Sequence, residues 1–147
     1  MENEVGHEIA DALAVLLRRT TRTQLHKQLT DGMGDAVDEL TYPVLSALAR
    51  TGPRSAADLA ADAGIDRSGV TRRASRLEAA GLVRREPDPT DRRAHLLVLT
   101  EQGHSTVTEL RARLAAHIMT GLSSWPPGEA EMFARHLRRF TADGPFS

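Results

Sequence analysis

The chain has 147 residues, a usual size for one domain, and its 40% hydrophobic content is enough to bury a core. With only 3% aromatics that core must be Leu, Ala, Val and Ile, and the absence of cysteine excludes disulfides, thiolate metal sites and thiol redox sensing. A net charge of −1 excludes a globally basic nucleic-acid binder, so any contact with a polyanion must come from a local patch.

The chain opens with MENEVGHEIADA, which is acidic and carries no signal-peptide pattern. No run approaches the roughly 20 apolar residues of a membrane helix, so a cytoplasmic protein without membrane partners is expected. From about Glu4 to Leu29, the residues Ile9, Leu13, Leu16, Leu17, Leu25 and Leu29 recur at helical spacing. They predict one long first helix, ended by Asp31-Gly32-Met33-Gly34-Asp35. So long an apolar face in a small domain needs a partner to cover it.

Thr41 is placed to cap a second helix, with Pro43 tolerated in its first turn and Val44, Leu45 and Leu48 inward. Thr51-Gly52-Pro53 stops it. Ser55-Ala56-Ala57-Asp58 has capping-box spacing and opens a short third helix that ends at Gly64. Asp66 caps a fourth that ends near Gly81. Two short helices joined by Ala63-Gly64-Ile65-Asp66 make a tight helix-turn-helix.

Leu82–Glu86 and His95–Leu99 read as strands joined by a Pro- and Asp-rich turn. Thr100 caps a fifth helix with Val107, Leu110, Leu114, Ile118 and Leu122 along one stripe. After the break at Ser123–Gly128 a sixth helix places Met132, Phe133, Leu137 and Phe140 on one side. The fold class is therefore mainly α with a small β-hairpin wing. Residues 1–35 and 101–147 form a helical dimerisation region, and residues 36–100 a winged helix-turn-helix.

Charge is concentrated where the reader module lies. Between Asp66 and Arg93 there are eight arginines against five acids. On the fourth helix Val70, Ala74 and Leu77 share a narrow arc. The opposite side carries Ser68, Gly69, Thr71, Arg72, Ser75 and Arg76. Small residues permit close approach to a major groove, hydroxyls bind phosphates or base edges, and arginine can grip guanine with two hydrogen bonds. An ordinary solvated helix face is the plain alternative. In the hairpin tip, Asp91, Arg92 and Arg93 follow two prolines that stiffen the turn. An arginine held there can enter a narrow minor groove, with Asp91 pairing to orient the Arg93 guanidinium. The plain alternative is a charged, solubilising turn.

Residues 40–103 resemble the MarR family of bacterial transcriptional regulators. The resemblance rests on Leu40-Thr41, Ala57-Asp58-Leu59-Ala60, Gly69-Val70-Thr71-Arg72 and Arg76-Leu77-Glu78. It continues through Gly81-Leu82-Val83-Arg84-Arg85, Asp91-Arg92-Arg93-Ala94 and Leu99-Thr100-Glu101-Gln102-Gly103. It implies a homodimer of winged helix-turn-helix subunits that binds double-stranded DNA at a near-palindromic operator, usually to repress. It also implies that Asp91 and Arg93 pair and that Arg93 reaches the minor groove. Arg73 departs from the pattern, which usually has an apolar residue there. Many relatives release DNA when a small, often aromatic and anionic molecule binds between the dimerisation and reader regions. Arg22, His26 and Tyr42 are the candidates to line such a site, the alternative being ordinary packing or surface roles.

None of the six histidines pairs with another at i+3 or i+4, so no metal site and no cofactor is expected. There is no nucleophile elbow, phosphate loop or recognisable carboxylate pair, so an enzyme is not expected. Two other classes stay open: a winged-helix protein-interaction module, and a ligand-binding protein without DNA regulation.

Overall fold

In the computed structural model, which describes residues 2–146, the helix expected over Glu4–Leu29 is two helices. These are α1 (Glu2–Leu17) and α2 (Arg19–Thr30), and the hinge is Arg18, whose backbone is extended at φ −60°, ψ 136°. The Arg22 amide bonds the Arg18 carbonyl at 3.1 Å, so Arg18 starts a new helix rather than continuing the old one. Thr20, Thr21 and Thr23 crowd the first turns of α2 with β-branched side chains, which are weak helix formers. The apolar spacing across Leu17 and Arg18 gives no hint of this break.

The turn before α3 (Tyr42–Thr51) also works differently from expectation. Thr41 is completely buried and its hydroxyl does not cap the helix. It donates to the Ala36 carbonyl at 2.6 Å and accepts from the Asp38 amide at 3.0 Å. The Asp38 carboxylate instead takes the amides of Leu40 and Thr41, each at 3.0 Å.

Arg54–Ser55 form a short strand, β1, and then Ser55 caps α4 (Ala56–Ala63) by accepting the Asp58 amide at 3.1 Å. Gly64 ends α4 in the left-handed region at φ 65°, which a side chain would disfavour. Next come α5 (Arg67–Ala79), β2 (Val83–Pro87), β3 (His95–Leu99), α6 (Glu101–Gly121) and α7 (Glu129–Asp143).

The sheet is antiparallel with order β1-β3-β2. Val83 stands opposite Leu99 and Pro87 opposite His95. Arg54 and Ser55 pair with Leu97 and Leu96. The hairpin therefore has a third strand on its far edge, which two isolated strands would need for stability. One core joins these elements. Leu45, Leu59, Leu77, Leu97, Val44, Val70 and Val83 have almost no exposed surface. Truncating any of the leucines to alanine costs on the order of 2–5 kcal/mol.

The chain divides into two compact units between Arg111 and Ala112, within α6. The first holds the core just described and, on α1, the exposed apolar residues Val5, Ile9, Val15, Leu16 and Leu17. The second holds the end of α6 and α7. None of the described α7 residues is buried, and Met132, Phe133 and Leu137 are exposed. No helix among the described residues is long and apolar enough to cross a membrane.

Candidate nucleic-acid interface

The fourth helix of the sequence is α5, and its two faces are sharply unlike. Gly69, Val70, Ala74 and Leu77 are buried, while Ser68, Thr71, Arg72 and Ser75 are exposed. Gly69 thus belongs to the inner face and not to the outer one on which it was expected. A Cβ there would crowd the Asp66 carboxylate and the Ile65 side chain. The outer hydroxyls are locally anchored: Thr71 donates to the Arg67 carbonyl and Ser75 to the Thr71 carbonyl, each at 3.0 Å. Each hydroxyl oxygen keeps acceptor capacity beyond the bond it donates, and at Ser75 the Arg85 guanidinium takes part of it. The Ser68 hydroxyl donates to the Asp66 carboxylate. That bond and, less strongly, the Arg72 charge hold the Asp66 carboxyl below its ordinary value.

Arg76 is not free to enter a groove. Its guanidinium bonds the Asp38 carboxylate at 2.6 Å and the Asp35 carbonyl at 2.7 Å, fastening α5 to the turn before α3. Burial pushes the Asp38 carboxyl up, but Arg76 and the Thr41 and Leu40 amides outweigh that and hold it below its ordinary 3.8. A carboxyl lowered by folding contributes stability above its unfolded value and loses it as pH falls through the folded one. This tie therefore stands at neutral pH and fails as pH drops below 3.8. Arg76→Ala should cost about 1–3 kcal/mol in urea denaturation, as charged hydrogen bonds do. Arg76→Lys should not recover it, because one ammonium cannot span both acceptors. Full recovery with Lys would show that charge alone matters. No local signal marks Asp38 as the partner, since the two residues lie 38 apart in sequence.

A second brace comes from β2. Arg85 reaches back to Glu78 at 3.3 Å and to the Ser75 hydroxyl at 3.2 Å. It was not singled out from the sequence, although its place four residues beyond Gly81 puts it on the strand that packs beside α5. Arg84 is occupied by Glu86 on the same strand at 2.7 Å.

At the wing tip Asp91, Arg92 and Arg93 are all exposed. Asp91 does not pair with the Arg93 guanidinium; its carboxylate accepts the Arg93 backbone amide at 2.9 Å. The reason is local: an aspartate two residues before an amide closes a tight turn with its own backbone. Asp88 does the same to Thr90, taking its amide at 2.9 Å and its hydroxyl at 2.7 Å. The tip is thereby fixed by backbone bonds while Arg92 and Arg93 project from it.

Arg22, His26 and Tyr42 come together in the first unit. The His26 and Tyr42 rings stack with centroids 4.1 Å apart. They line a groove of about 770 Å³ together with Arg22, Ile65, Asp66 and Arg73. Burial, and then the Arg22 charge, lower the His26 pKa from its ordinary 6.5 and so favour the neutral imidazole.

This architecture has close counterparts. Residues 32–94 match the profile of the MarR family. Over 140 residues the chain is 27% identical to the uncharacterized HTH-type transcriptional regulator YxaD of Bacillus subtilis, covering 95% of each. The transcriptional regulator BldR of Sulfolobus solfataricus superposes with a TM-score of 0.66 at 26% identity, over 95% of this chain and 99% of that one. The PcaV transcriptional regulator of Streptomyces coelicolor, solved with its natural ligand, gives 0.58 at 26% identity, over 86% and 94%. With a hairpin wing beside a helix-turn-helix, a stretch that matches the MarR family model and similar regulators along almost its whole length, the chain resembles the winged helix-turn-helix transcriptional regulators of the MarR family.

Proposed function

We propose that the protein is a cytoplasmic homodimeric repressor that binds a near-palindromic operator and is released from it by a small aromatic anion. The observation that carries this reading is the outer face of α5, where Ser68, Thr71, Arg72 and Ser75 stand exposed beside a wing bearing Arg92 and Arg93. α5 enters the major groove and the wing the adjacent minor groove. The exposed apolar residues of α1, and those of α6 and α7, are covered in the dimer, with residues 1–35 and 101–147 as the dimerisation region. Two-fold symmetry then sets half-sites about 10 bp apart. The groove at Arg22, His26 and Tyr42 takes the effector, its stacked rings receiving an aromatic face and Arg22 a carboxylate.

Purified protein should bind DNA from upstream of its own gene, and binding should weaken steeply with salt. A dimer neutralising six phosphates would lose on the order of a thousandfold in affinity between 50 and 200 mM salt. Sedimentation should give twice the chain mass. Absence of salt-sensitive binding to that DNA would overturn the reading.

A further inference from the structure

The groove and the DNA-facing surface share one element. α5 carries Thr71 and Arg72 on its outer side, and its next residue, Arg73, lines the groove together with Asp66 at the helix start. One helical step of roughly 100° separates Arg72 from Arg73, so one helix presents adjacent arginines to two compartments.

Three other arginines of this unit are engaged. Arg76 holds Asp38 at 2.6 Å, Arg85 holds Glu78 at 3.3 Å, and Arg50, also on the groove, holds Asp62 at 2.6 Å. Arg73 is half-buried, and among the described residues no carboxylate lies within 4.0 Å of it. The same groove is lined by Arg19, Arg22 and Lys27 from α2 and by the stacked His26 and Tyr42 rings. Asp62 is already neutralised by Arg50, so the lining carries a surplus of positive charge over Glu39 and Asp66.

We propose that Arg73 is the residue through which an aromatic carboxylate in this groove acts on the DNA-reading helix. This rests on the effector reading of the groove given above. The carboxylate bridges Arg22 on α2 and Arg73 on α5, while the ring lies on His26 and Tyr42. Closing that bridge draws α5 toward α2 and turns Thr71 and Arg72 away from the geometry that fits a major groove. Arg76 supplies the fixed point for this motion. It ties the later turns of α5 to Asp38, three residues before the buried Thr41 and four before Tyr42. A bound anion therefore pulls at Arg73 while the other end of α5 stays anchored. Arg73 acts on DNA through the helix and is a positioning residue, with no DNA contact of its own.

Benzoate serves as the probe, with benzamide as its neutral counterpart. Operator affinity and benzoate affinity are both measured, the latter by calorimetry, on the native protein, Arg73→Met, Arg73→Lys and Arg22→Met. The native protein should bind benzoate and lose operator affinity by about tenfold or more, and benzamide should do neither. Arg73→Met should bind the operator within about threefold of the native protein and keep its thermal midpoint. It should nevertheless lose the benzoate response, with benzoate affinity down by about tenfold. Arg73→Lys should restore part of the response, because it restores the charge. If Arg73→Met is released by benzoate as fully as the native protein, the coupling role of Arg73 is wrong while the effector site stands. If the native protein does not bind benzoate at all, the effector reading fails and this proposal with it.

Discussion

Gly103→Ala should lower the stability of the reader by about 3 kcal/mol, a large value for one added methyl group. Gly103 is buried in the first turn of α6, and a Cβ there would stand inside the van der Waals shell of the Leu82 carbonyl oxygen. That oxygen is part of the backbone and already accepts the Thr100 amide at 3.1 Å, so it cannot move aside cheaply. The same corner holds a second clasp. The Thr100 hydroxyl donates to the Gly81 carbonyl at 2.6 Å and accepts the Gly103 amide at 3.0 Å. Any shift of α6 that admits the methyl group pulls this clasp open and frees the elbow between α5 and β2 from the elbow between β3 and α6. Gly6→Ala is the control. It lies within α1 with nothing within 4 Å of the added carbon, and helix propensity predicts a gain of up to about 1 kcal/mol. Urea denaturation of the two variants checks the pair. A Gly103→Ala midpoint equal to that of the native protein would show that the corner relaxes freely.

That corner also explains how much of the molecule can be read from its residues. From Asp66 to Gly103 the signals are short-range: a cap, a 3.6-residue apolar period, a glycine stop, alternating strands and a proline-bounded turn. Each acts within a few residues, so the helix-turn-helix and the hairpin are legible without knowing what lies opposite. Three features are not legible in this way, the first two because they depend on distant partners. β1 has only two residues, and nothing marks Arg54 and Ser55 as strand apart from their pairing with Leu97 and Leu96. Arg76 looks like a groove contact on a helical wheel, yet Asp38 captures it. The break at Arg18 leaves the apolar spacing on both sides undisturbed. The candidate groove shows the same division. Stacking of His26 on Tyr42 follows the chemistry of the residues chosen from the sequence, whereas Arg73 enters only because α5 packs with its edge toward that groove.

The wing offers the sharpest test on the DNA side. Arg93→Ala should weaken operator binding about ten- to a hundredfold, the worth of one well-placed arginine contact. It should also reduce the slope of affinity against salt by about one and leave stability unchanged, since the side chain is exposed. The size of this effect follows from preorganisation. The Asp88 amide bonds the Ala94 carbonyl and the Ala94 amide bonds the Asp91 carbonyl, both at 3.1 Å, closing the tip into a ring of backbone bonds. Among the described residues Arg93 has no carboxylate within 4.0 Å, so binding breaks no ion pair before making a new one. Asp91 then separates two accounts of how the arginine is aimed. If the carboxylate works by accepting the Arg93 amide at 2.9 Å, Asp91→Asn keeps that acceptor and should bind within about threefold of the native protein, while Asp91→Ala loosens the turn and costs more. If it works by charge on the guanidinium, Asn and Ala should be equally damaging. The bond to the backbone amide favours the first outcome, in which the wing aims its arginine by the shape of the turn rather than by a partner charge.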